Sequence, residues 1–428
     1  MKKLLAIFVI FFFMSPIPII STEKTLHLSK EKIFQLGQSV ITKVTYFNSI
    51  PSNPNVFSEV NSYKDLELSQ FAKVIVPNED FKITDLLINA NGKPVFHLTD
   101  GNYIEANKQL IFDDTLINQL EVNQDFWTQP NLTVYDQPYV KGIPASKKTI
   151  DSYQKVHASK LAQTQQGNYY YIDDKGWVSA SGLSTSDNRM IKVQEMLSEK
   201  YNKDNYSVFV KQINTQASAG INADKQMYAA SIAKLGTLYF VQERVNNGQL
   251  SLDSKFKYVD QVNHFNGDYD PSGSGQISKK ADNKEYSVDN LLQGVSQHSD
   301  NVATNILGYY GADKYTSNFS TQMQALSGAP WDMEKRNLSS RQAASVMEAI
   351  YYQNGKIVSY LSHTDFDDQR ISKNIKVPVA HKIGDAYDYK HDVAIVYADS
   401  PFILSIFTDK SDYDDLSKIA DDVYSILK

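Results

Sequence analysis

The pattern of apolar and polar positions divides the chain near residue 186. From Thr25 to Leu183, short runs of Tyr, Phe, Val and Ile are broken by Asn, Gly, Pro and Asp, which predicts many short β-strands. Beyond this point longer apolar segments follow at helical spacing, together with alternating, strand-like segments such as Tyr206 to Ile213. We therefore expect an all-β front part and a mixed α/β domain over residues 187–428.

The C-terminal part predicts how that domain ends. Three apolar runs that start at Val377, Asp392 and Phe402 have the length and composition of strands, and a closing helix is predicted from Asp414 to Leu427.

The segment from Ser231 to Phe240 is too apolar for a surface helix, so we expect a buried helix that ends at Asn246-Asn247-Gly248. Residues three apart share a helix face, which predicts Lys234 Nζ within hydrogen-bond reach of Ser231 Oγ. A serine beside a basic amine has the arrangement of a nucleophile and its base. The positive end of the helix would stabilise negative charge near Ser231.

The Ser-x-x-Lys pattern is weak by itself, because it also occurs at Ser21, Ser29, Ser152, Ser254 and Ser425. The copy at Ser231 is distinguished by its context, that is, by its hydrophobic setting and by the order of the motifs that follow it.

Two further motifs follow in apolar surroundings. Ser299-Asp300-Asn301 stands between two apolar helical segments, where it is interpreted either as a helix N-cap or as a proton relay with an amide that binds substrate. Lys382 and Gly384 lie in a predicted interior strand. A lysine there should face a cleft that holds anionic groups, and Gly384 would permit close approach of a substrate backbone. The polar segment from Asp260 to Lys284 favours a loop that lines this cleft.

Composition narrows the function classes. A net charge of −6 argues against a nucleic-acid partner. The absence of cysteine excludes disulfides and thiol catalysis. The eight histidines form no ligand spacing, so we expect no metal and no cofactor. Lys2-Lys3 followed by uncharged residues to Met14 predicts that residues 1–24 are a signal peptide or an N-terminal membrane anchor.

The ordered set Ser231-x-x-Lys234, Ser299-Asp300-Asn301 and Lys382-x-Gly384 resembles class A β-lactamases and penicillin-binding serine acyltransferases. The resemblance covers residues 187–428. It implies a β-lactamase-like three-layer α/β/α sandwich with a helical lobe and a cleft. The roles that it implies are acylated nucleophile for Ser231, base for Lys234, proton relay for Ser299, amide holder for Asn301, carboxylate binder for Lys382, and an oxyanion hole from the backbone N–H groups of Ser231 and Asp385.

Two positions depart from the family pattern. Ile383 stands where the family has a hydroxyl that helps to bind carboxylate, and Asp385 places a negative charge nearby. A glutamate that activates the hydrolytic water follows a tryptophan in the family. After Trp331, either Asp332 or Glu334 takes that position, or both are solvated loop acids.

In the front part, the stretches 91–110 and 166–183 share an order of strand, Asp-Gly turn, aromatic residue and leucine, which predicts an internal repeat. The second, with Gly176-Trp177-Val178, resembles the GW or bacterial Src-homology-type barrels of Gram-positive surface proteins. We therefore predict a divergent small β-barrel module over 25–125 and a GW-like module over 126–185. The resemblance implies attachment to a cell-wall polymer or peptide; the alternative is a spacer.

The expected function is an exported serine hydrolase, wall-associated or membrane-anchored, that is acylated at Ser231 by β-lactams or D-amino-acid peptides and hydrolyses the acyl-enzyme. Three alternatives stay open. The chain could be a slow-deacylating penicillin-binding or D,D-carboxypeptidase-like protein, a non-catalytic wall-binding scaffold, or an esterase that makes no use of Lys382.

Overall fold

The computed structural model describes residues 45–428, so the predicted signal or anchor segment, residues 1–24, lies outside the described residues. The chain forms two structural units. Of the described residues, one unit contains 45–115 together with 140–142, and the other contains 116–139 together with 143–428. Within residues 45–428, every helix is too short or too polar to cross a membrane.

The first unit is all-β in its described part. Antiparallel pairing gives a sheet in the order β3-β2-β6-β5-β4 and a separate pair, β1-β7. Ile75, Phe96 and Ile104 lie in its core. The strands are β1 (Pro54–Val56), β2 (Val60–Tyr63), β3 (Phe71–Ile75), β4 (Ile83–Ile88), β5 (Pro94–Leu98), β6 (Tyr103–Glu105) and β7 (Ile111–Asp113).

The second unit begins with another antiparallel sheet, in the order β13-β8-β10-β11-β12-β9. Trp177 and Val178 are buried in it. The boundary predicted between residues 125 and 126 falls inside β8, and the division between the units falls at 115/116. The strands are β8 (Leu116–Thr128), β9 (Val134–Tyr135), β10 (Lys155–Thr164), β11 (Gly167–Ile172), β12 (Gly176–Ser179) and β13 (Leu183–Ser184).

The α/β domain has an antiparallel sheet in the order β15-β14-β22-β21-β20, which leaves β20 at an edge. β20, β21 and β22 confirm the three strands predicted near the C-terminus. The strands of this domain are β14 (Tyr206–Gln212), β15 (Ser218–Ile221), β16 (Met227–Tyr228), β17 (Lys255–Lys257), β18 (Glu285–Ser287), β19 (Asn337–Leu338), β20 (Val379–Ala386), β21 (Tyr389–Val396) and β22 (Phe402–Asp409).

Helices cover both faces of this sheet. Two of them, α1 and α8, pack on one face around Val208, Leu404 and Leu416, while α6 and the helical lobe cover the other face. This confirms the three-layer α/β/α sandwich. The α-helices are α1 (Arg189–Lys200), α2 (Lys234–Asn246), α3 (Val288–His298), α4 (Asn301–Ile306), α5 (Ser317–Ser327), α6 (Ser340–Gln353), α7 (Lys356–Leu361) and α8 (Tyr413–Leu427).

The predicted helix at Ser231 is buried, but it begins differently. Residues Ala230–Ala233 form a 3₁₀ turn, and α2 starts only at Lys234. Trp331 stabilises the junction between the 3₁₀ turn and α2, because its indole Nε1 donates a hydrogen bond to Ala233 O at 3.1 Å. Gly236 leaves the room that the indole needs, since a methyl group there would lie 2.4 Å from Trp331 Nε1.

This contact predicts that Gly236→Ala destabilises the domain by about 1–3 kcal/mol, because the indole or the helix must move to admit the methyl group. Gly294→Ala in α3 is the matched control, since its methyl group would meet its nearest neighbour, Ala303 Cβ, at an ordinary 3.5 Å. In a helix interior, the control should be neutral or stabilising by up to about 1 kcal/mol. Urea unfolding compares the two; equal free energies of unfolding would contradict the interpretation.

Candidate active site

Ser231 is half-buried in the 3₁₀ turn that precedes α2. The residue before it, Ala230, has φ of +49°, in the left-handed region. This conformation is costly for an alanine and persists only where neighbours enforce it. Tyr269 is one such neighbour, because its hydroxyl donates to Ala230 O at 3.3 Å. The bond from Tyr269 therefore helps to hold the turn that carries Ser231 in place, despite the strain at Ala230.

Lys234 is fully buried and makes different contacts from those expected. Its Nζ donates to Ser299 O and to Asn301 Oδ1, each at 2.6 Å, and lies 3.4 Å from Ser299 Oγ. Among residues 45–428, no hydrogen bond joins Lys234 to Ser231, so the predicted direct bond is wrong for this structure. The reason is competition, because the buried amine is hydrogen-bonded instead to two neutral acceptors, Ser299 O and Asn301 Oδ1.

Ser299 joins the two lobes of the domain. It is the C-cap of α3, with φ of +51°, and its side chain is almost completely buried. Its Oγ accepts a hydrogen bond from Lys382 Nζ at 2.8 Å. The N-cap function proposed for this motif belongs instead to Asp300, whose carboxylate accepts from Ala303 N at the start of α4. Ser299 is thereby left free to contact both lysines.

Asn301 is held at both ends of its amide. Oδ1 accepts from Lys234, and Nδ2 donates to Asp270 O at 2.7 Å. Asp270 belongs to the polar segment between Asp260 and Lys284, which was predicted to line a cleft. The amide of Asn301 is therefore fixed in orientation against this loop.

The electrostatics of Lys234 follow from its burial. Burial lowers the pKa of Lys234 well below its usual range, and the neighbouring charge of Lys382 lowers it further. Arg336 and Lys279 act in the same direction, while Asp300 opposes them. Burial therefore favours the unprotonated amine, the form that can accept a proton, more than in an ordinary lysine.

Lys382 is equally buried and is also shifted. Burial lowers the pKa of Lys382 to about 7, against the attraction of Asp392 and with some repulsion from Arg370. Besides Ser299 Oγ, its Nζ donates to Ile383 O at 2.9 Å. Lys382 is thus buried with only neutral hydrogen-bond acceptors, so its positive charge is not already paired with a carboxylate hydrogen-bonded to Nζ.

Contacts within the protein itself explain why residue 384 is a glycine. A methyl group there would lie 2.6 Å from Ala229 O and 2.8 Å from Ile232 Cγ1. The two residues flank the Ala230-Ser231 dipeptide, so the glycine lets the edge strand β20 pack directly on the Ser231 turn. The close approach expected of a substrate backbone is, in this structure, the approach of the protein's own backbone.

The negative charge of Asp385 is neutralised. Its carboxylate pairs with Arg370 at 2.5 Å and Lys390 at 2.8 Å, and it accepts a hydrogen bond from Tyr413. Burial acts to raise the pKa of Asp385, but the bonds from Lys390 and Tyr413 and the charge of Arg370 outweigh it and hold the pKa low. Asp385 is therefore engaged away from any group bound at Lys382. The neighbouring Ile383 is buried and offers no hydroxyl.

The two acids considered for deacylation are not brought to Ser231. Asp332 Oδ1 accepts from the backbone N–H groups of Glu334 and Lys335, at 3.0 and 2.8 Å, and so stabilises its own loop. Glu334 is exposed. Both line a cavity of about 310 Å³ whose wall also contains Lys314, and none of the residues in the Ser231 cluster lines it. The short loop after Trp331 directs these carboxylates outward.

Sequence reasoning missed two residues, Tyr269 and Arg336. The Tyr269 ring lies 4.5 Å from Lys234 Nζ and 3.9 Å from the Arg336 guanidinium carbon. Arg336 also donates to the carbonyls of Gly267 and Asp268, at 3.2 and 2.5 Å, and its backbone carbonyl accepts from Ala229 N at 2.7 Å. In the sequence, Tyr269 could have been assigned to the site only because it is an aromatic residue in a polar loop. Nothing in the sequence around Arg336 pointed to the site.

The two histidines near the motif strand are core residues. His391 is buried, stacks on Phe407 at 4.2 Å and accepts from Thr408 N through Nδ1. Its Nε2 then donates to Tyr228 O at 2.9 Å. Burial lowers the pKa of His391 to about 4, so it is neutral. His381 has both ring nitrogens in contact with carboxylates.

Chemically, the cluster combines a serine that follows a strained residue, a buried amine, a hydroxyl that contacts two amines, and a second buried lysine. It can deprotonate an alcohol and return a proton to a leaving group without a carboxylate. Within the part of the chain that the structure describes, no three His, Cys, Asp or Glu side chains converge as a metal site would need.

The model of the Beta-lactamase enzyme family matches residues 188–427. A domain of unknown function, DUF5776, matches residues 46–111. No curated protein matches the chain. One similar solved structure is that of PBP-A, which is 17% identical over 56% of this chain and 94% of that chain, with a TM-score of 0.45. Another is the β-lactamase of Sphaerobacter thermophilus, which is 15% identical over 56% of this chain and 94% of that chain, with a TM-score of 0.44. A β-lactamase from Burkholderia phymatum is 19% identical over 56% and 99%, with a TM-score of 0.44.

Burial of Lys382 predicts a pH-dependent cost to the fold. Because its folded pKa of about 7 lies below the usual lysine value, the unfolded chain binds more protons between those two pH values, and stability from this group rises with pH. Lys382→Met should therefore stabilise the protein relative to the parent most at pH 7 and below, and progressively less towards pH ~10.4. Thermal unfolding across this range measures the difference; a difference independent of pH would contradict the assignment.

Proposed function

The chain belongs to the β-lactamase enzyme family through residues 188–427, and from this premise we propose that it forms a covalent acyl-enzyme at Ser231 with β-lactams or acyl-D-amino-acid peptides and releases it slowly. The observation that carries the proposal is the state of Lys234. Its amine is completely buried, is hydrogen-bonded to neutral acceptors, and has a strongly lowered pKa.

Acylation would begin when Ser231 Oγ attacks the carbonyl carbon and Lys234 Nζ accepts the hydroxyl proton. Lys234 follows Ser231 by three residues across the junction of the 3₁₀ turn and α2, so its amine would turn from its present acceptors, Ser299 O and Asn301 Oδ1, towards Ser231 Oγ. The tetrahedral oxyanion would be stabilised by the backbone N–H groups of Ser231 and Asp385. Gly384 supports this arrangement because it lets β20 pack against the Ser231 turn.

Collapse of the intermediate breaks the C–N bond and leaves the acyl group as an ester of Ser231. The leaving nitrogen needs a proton, and Ser299 Oγ is suited to relay it from Lys234, which lies 3.4 Å from it. Lys382 is hydrogen-bonded to the same hydroxyl and would attract a substrate carboxylate. The neutralisation of Asp385 by Arg370 and Lys390 removes the repulsion that its charge would otherwise exert on that carboxylate.

Slow release is favoured over rapid β-lactam hydrolysis because water attack on the ester needs a proton acceptor. Asp332 and Glu334 are directed elsewhere. Arg336, a cation, lies on the Tyr269 ring beside Lys234. A cation there does not activate water as a carboxylate would.

The proposal predicts the mass of the protein after exposure to a penicillin. The full-length chain should gain one penicillin mass, and the adduct should persist for minutes or longer in drug-free buffer. Ser231→Ala should gain none, whereas Ser254→Ala, which alters another Ser-x-x-Lys copy, should react like the parent. Intact-protein mass spectrometry over time measures both.

Each other outcome has a defined meaning. Loss of the adduct within seconds would replace slow release with β-lactamase turnover. The absence of any adduct in folded parent protein would overturn the acylation proposal and favour the scaffold or the esterase.

We propose as well that the protein is exported and that residues 25–185 attach it to the cell wall. The apolar run within residues 1–24 and the buried Gly176-Trp177-Val178 strand support this. If so, a chain that lacks residues 25–185 should be released from intact cells into the medium while the full chain stays on them, as measured by immunoblotting of both fractions. Equal retention of the two chains would contradict the role in attachment.

A further inference from the structure

The segment Thr364–Asp367 follows α7 and contacts both sides of the cleft. On one side it reaches His298, the last residue of α3, and on the other it reaches His381 in β20. Each histidine immediately precedes a residue of the candidate site, Ser299 or Lys382. One short loop thus contacts the neighbours of the two residues that are hydrogen-bonded across the cleft.

The contact with the helical lobe is made through Asp365. Its backbone N–H donates to Gln297 O at 3.1 Å, and its carboxylate lies 2.8 Å from His298 Nδ1. The Gln276 side-chain amide lies 3.1 Å from the same nitrogen. Asp365 therefore contacts the last residues of α3 through both its main chain and its side chain. The side-chain contact is with His298, the residue before Ser299.

The contact with the sheet is made through Asp367 and Thr364. His381 Nε2 lies 3.1 Å from Asp367 Oδ1 and 3.1 Å from Thr364 Oγ1. On the opposite edge of the ring, Nδ1 lies 3.0 Å from both oxygens of Asp392, which is completely buried. Only the imidazolium form can donate from both nitrogens at once. The loop carboxylate is therefore tied by an ion pair to the strand that carries Lys382.

We propose that Thr364–Asp367 is a positioning strap, which sets the distance between Ser299 on the helical lobe and Lys382 on the sheet through the pairs Asp365–His298 and Asp367–His381. These acids do not touch the reacting atoms and are not catalytic residues. The catalytic meaning of the strap rests on the proposed function, because the 2.8 Å bond from Lys382 to Ser299 is the relay that it would maintain.

The charges around the two histidines agree with this role. His381 faces Asp392 on β21 and Asp367 on the loop, with the cation Lys382 next to it on its own strand. Burial acts to lower the pKa of His381, but these two carboxylates outweigh it and raise the pKa to about 9. The ion pair is therefore intact at neutral pH. His298 faces Asp365 and the uncharged Gln276.

The test uses the full-length chain with Asp365→Asn, Asp367→Asn and the double variant. Asp368→Asn is the matched control, because Asp368 is an exposed carboxylate in the same loop and belongs to neither pair. Two quantities are measured. One is the penicillin acylation rate per acylatable molecule, which corrects for misfolded protein; the other is the titration midpoint of Lys382, followed by NMR of ¹³C-labelled lysine Cε.

Each strap variant should lower the acylation rate by on the order of 10-fold or more, since a misplacement of about 1 Å can cost ~100-fold. Each should also raise the Lys382 midpoint above about 7 as water enters the loosened cleft. The double variant should be no slower than the worse single variant, because breaking either pair releases the same strap. Asp368→Asn should match the parent in both measurements.

Strap variants that keep the parent's Lys382 midpoint would overturn the proposal, as would a double variant whose loss equals the product of the single losses. The titration needs no substrate. If the parent forms no adduct, the proposed function fails while the midpoints still decide whether the strap controls the site.

Discussion

Two buried lysines that converge on one serine hydroxyl impose the central constraint on this protein. Lys234 and Lys382 both contact Ser299 Oγ, so their amines are at most about 6 Å apart, where two full charges would repel by roughly 3 kcal/mol at an effective dielectric constant of about 20. Their hydrogen-bond acceptors are neutral. The free energy is lowest when one of the two amines is neutral. Lys234 is the amine expected to be neutral, because more cations surround it than surround Lys382.

Several features of the fold serve this arrangement. Gly384 lets the edge strand press on the Ser231 turn, and Trp331 and Tyr269 hold that turn from the other sides. Asp300 caps α4 and also accepts from the backbone of Gln276 and Ile277, which fixes the loop that contacts Asn301. Lys234, Asn301 and Lys382 are therefore hydrogen-bonded within the protein, and a substrate must compete with these bonds.

The strands of the α/β domain, its buried helices and the order of the motifs could be predicted from the sequence. Each motif lies beside an apolar run, and the burial of such a run can be inferred from the run itself. It could not place Arg336 or Tyr269, since their contacts join loops that are far apart in the chain. The assignment of Asp332 or Glu334 required the path of the loop after Trp331, which depends on those same contacts. The start of β8 escaped detection because its first residues, among them Leu116 and Leu120, are exposed apolar positions without regular alternation of burial.

The most direct test of the account is the titration of Lys234 in the unliganded parent protein, followed through its ¹³C-labelled Cε resonance and assigned with Lys234→Arg. We expect a midpoint far below the usual lysine value of about 10.4, because burial and the neighbouring charge of Lys382 disfavour the ammonium ion. A midpoint near the usual value would mean that Lys234 is an ammonium ion at neutral pH, and it would contradict the role of this amine as the base that activates Ser231.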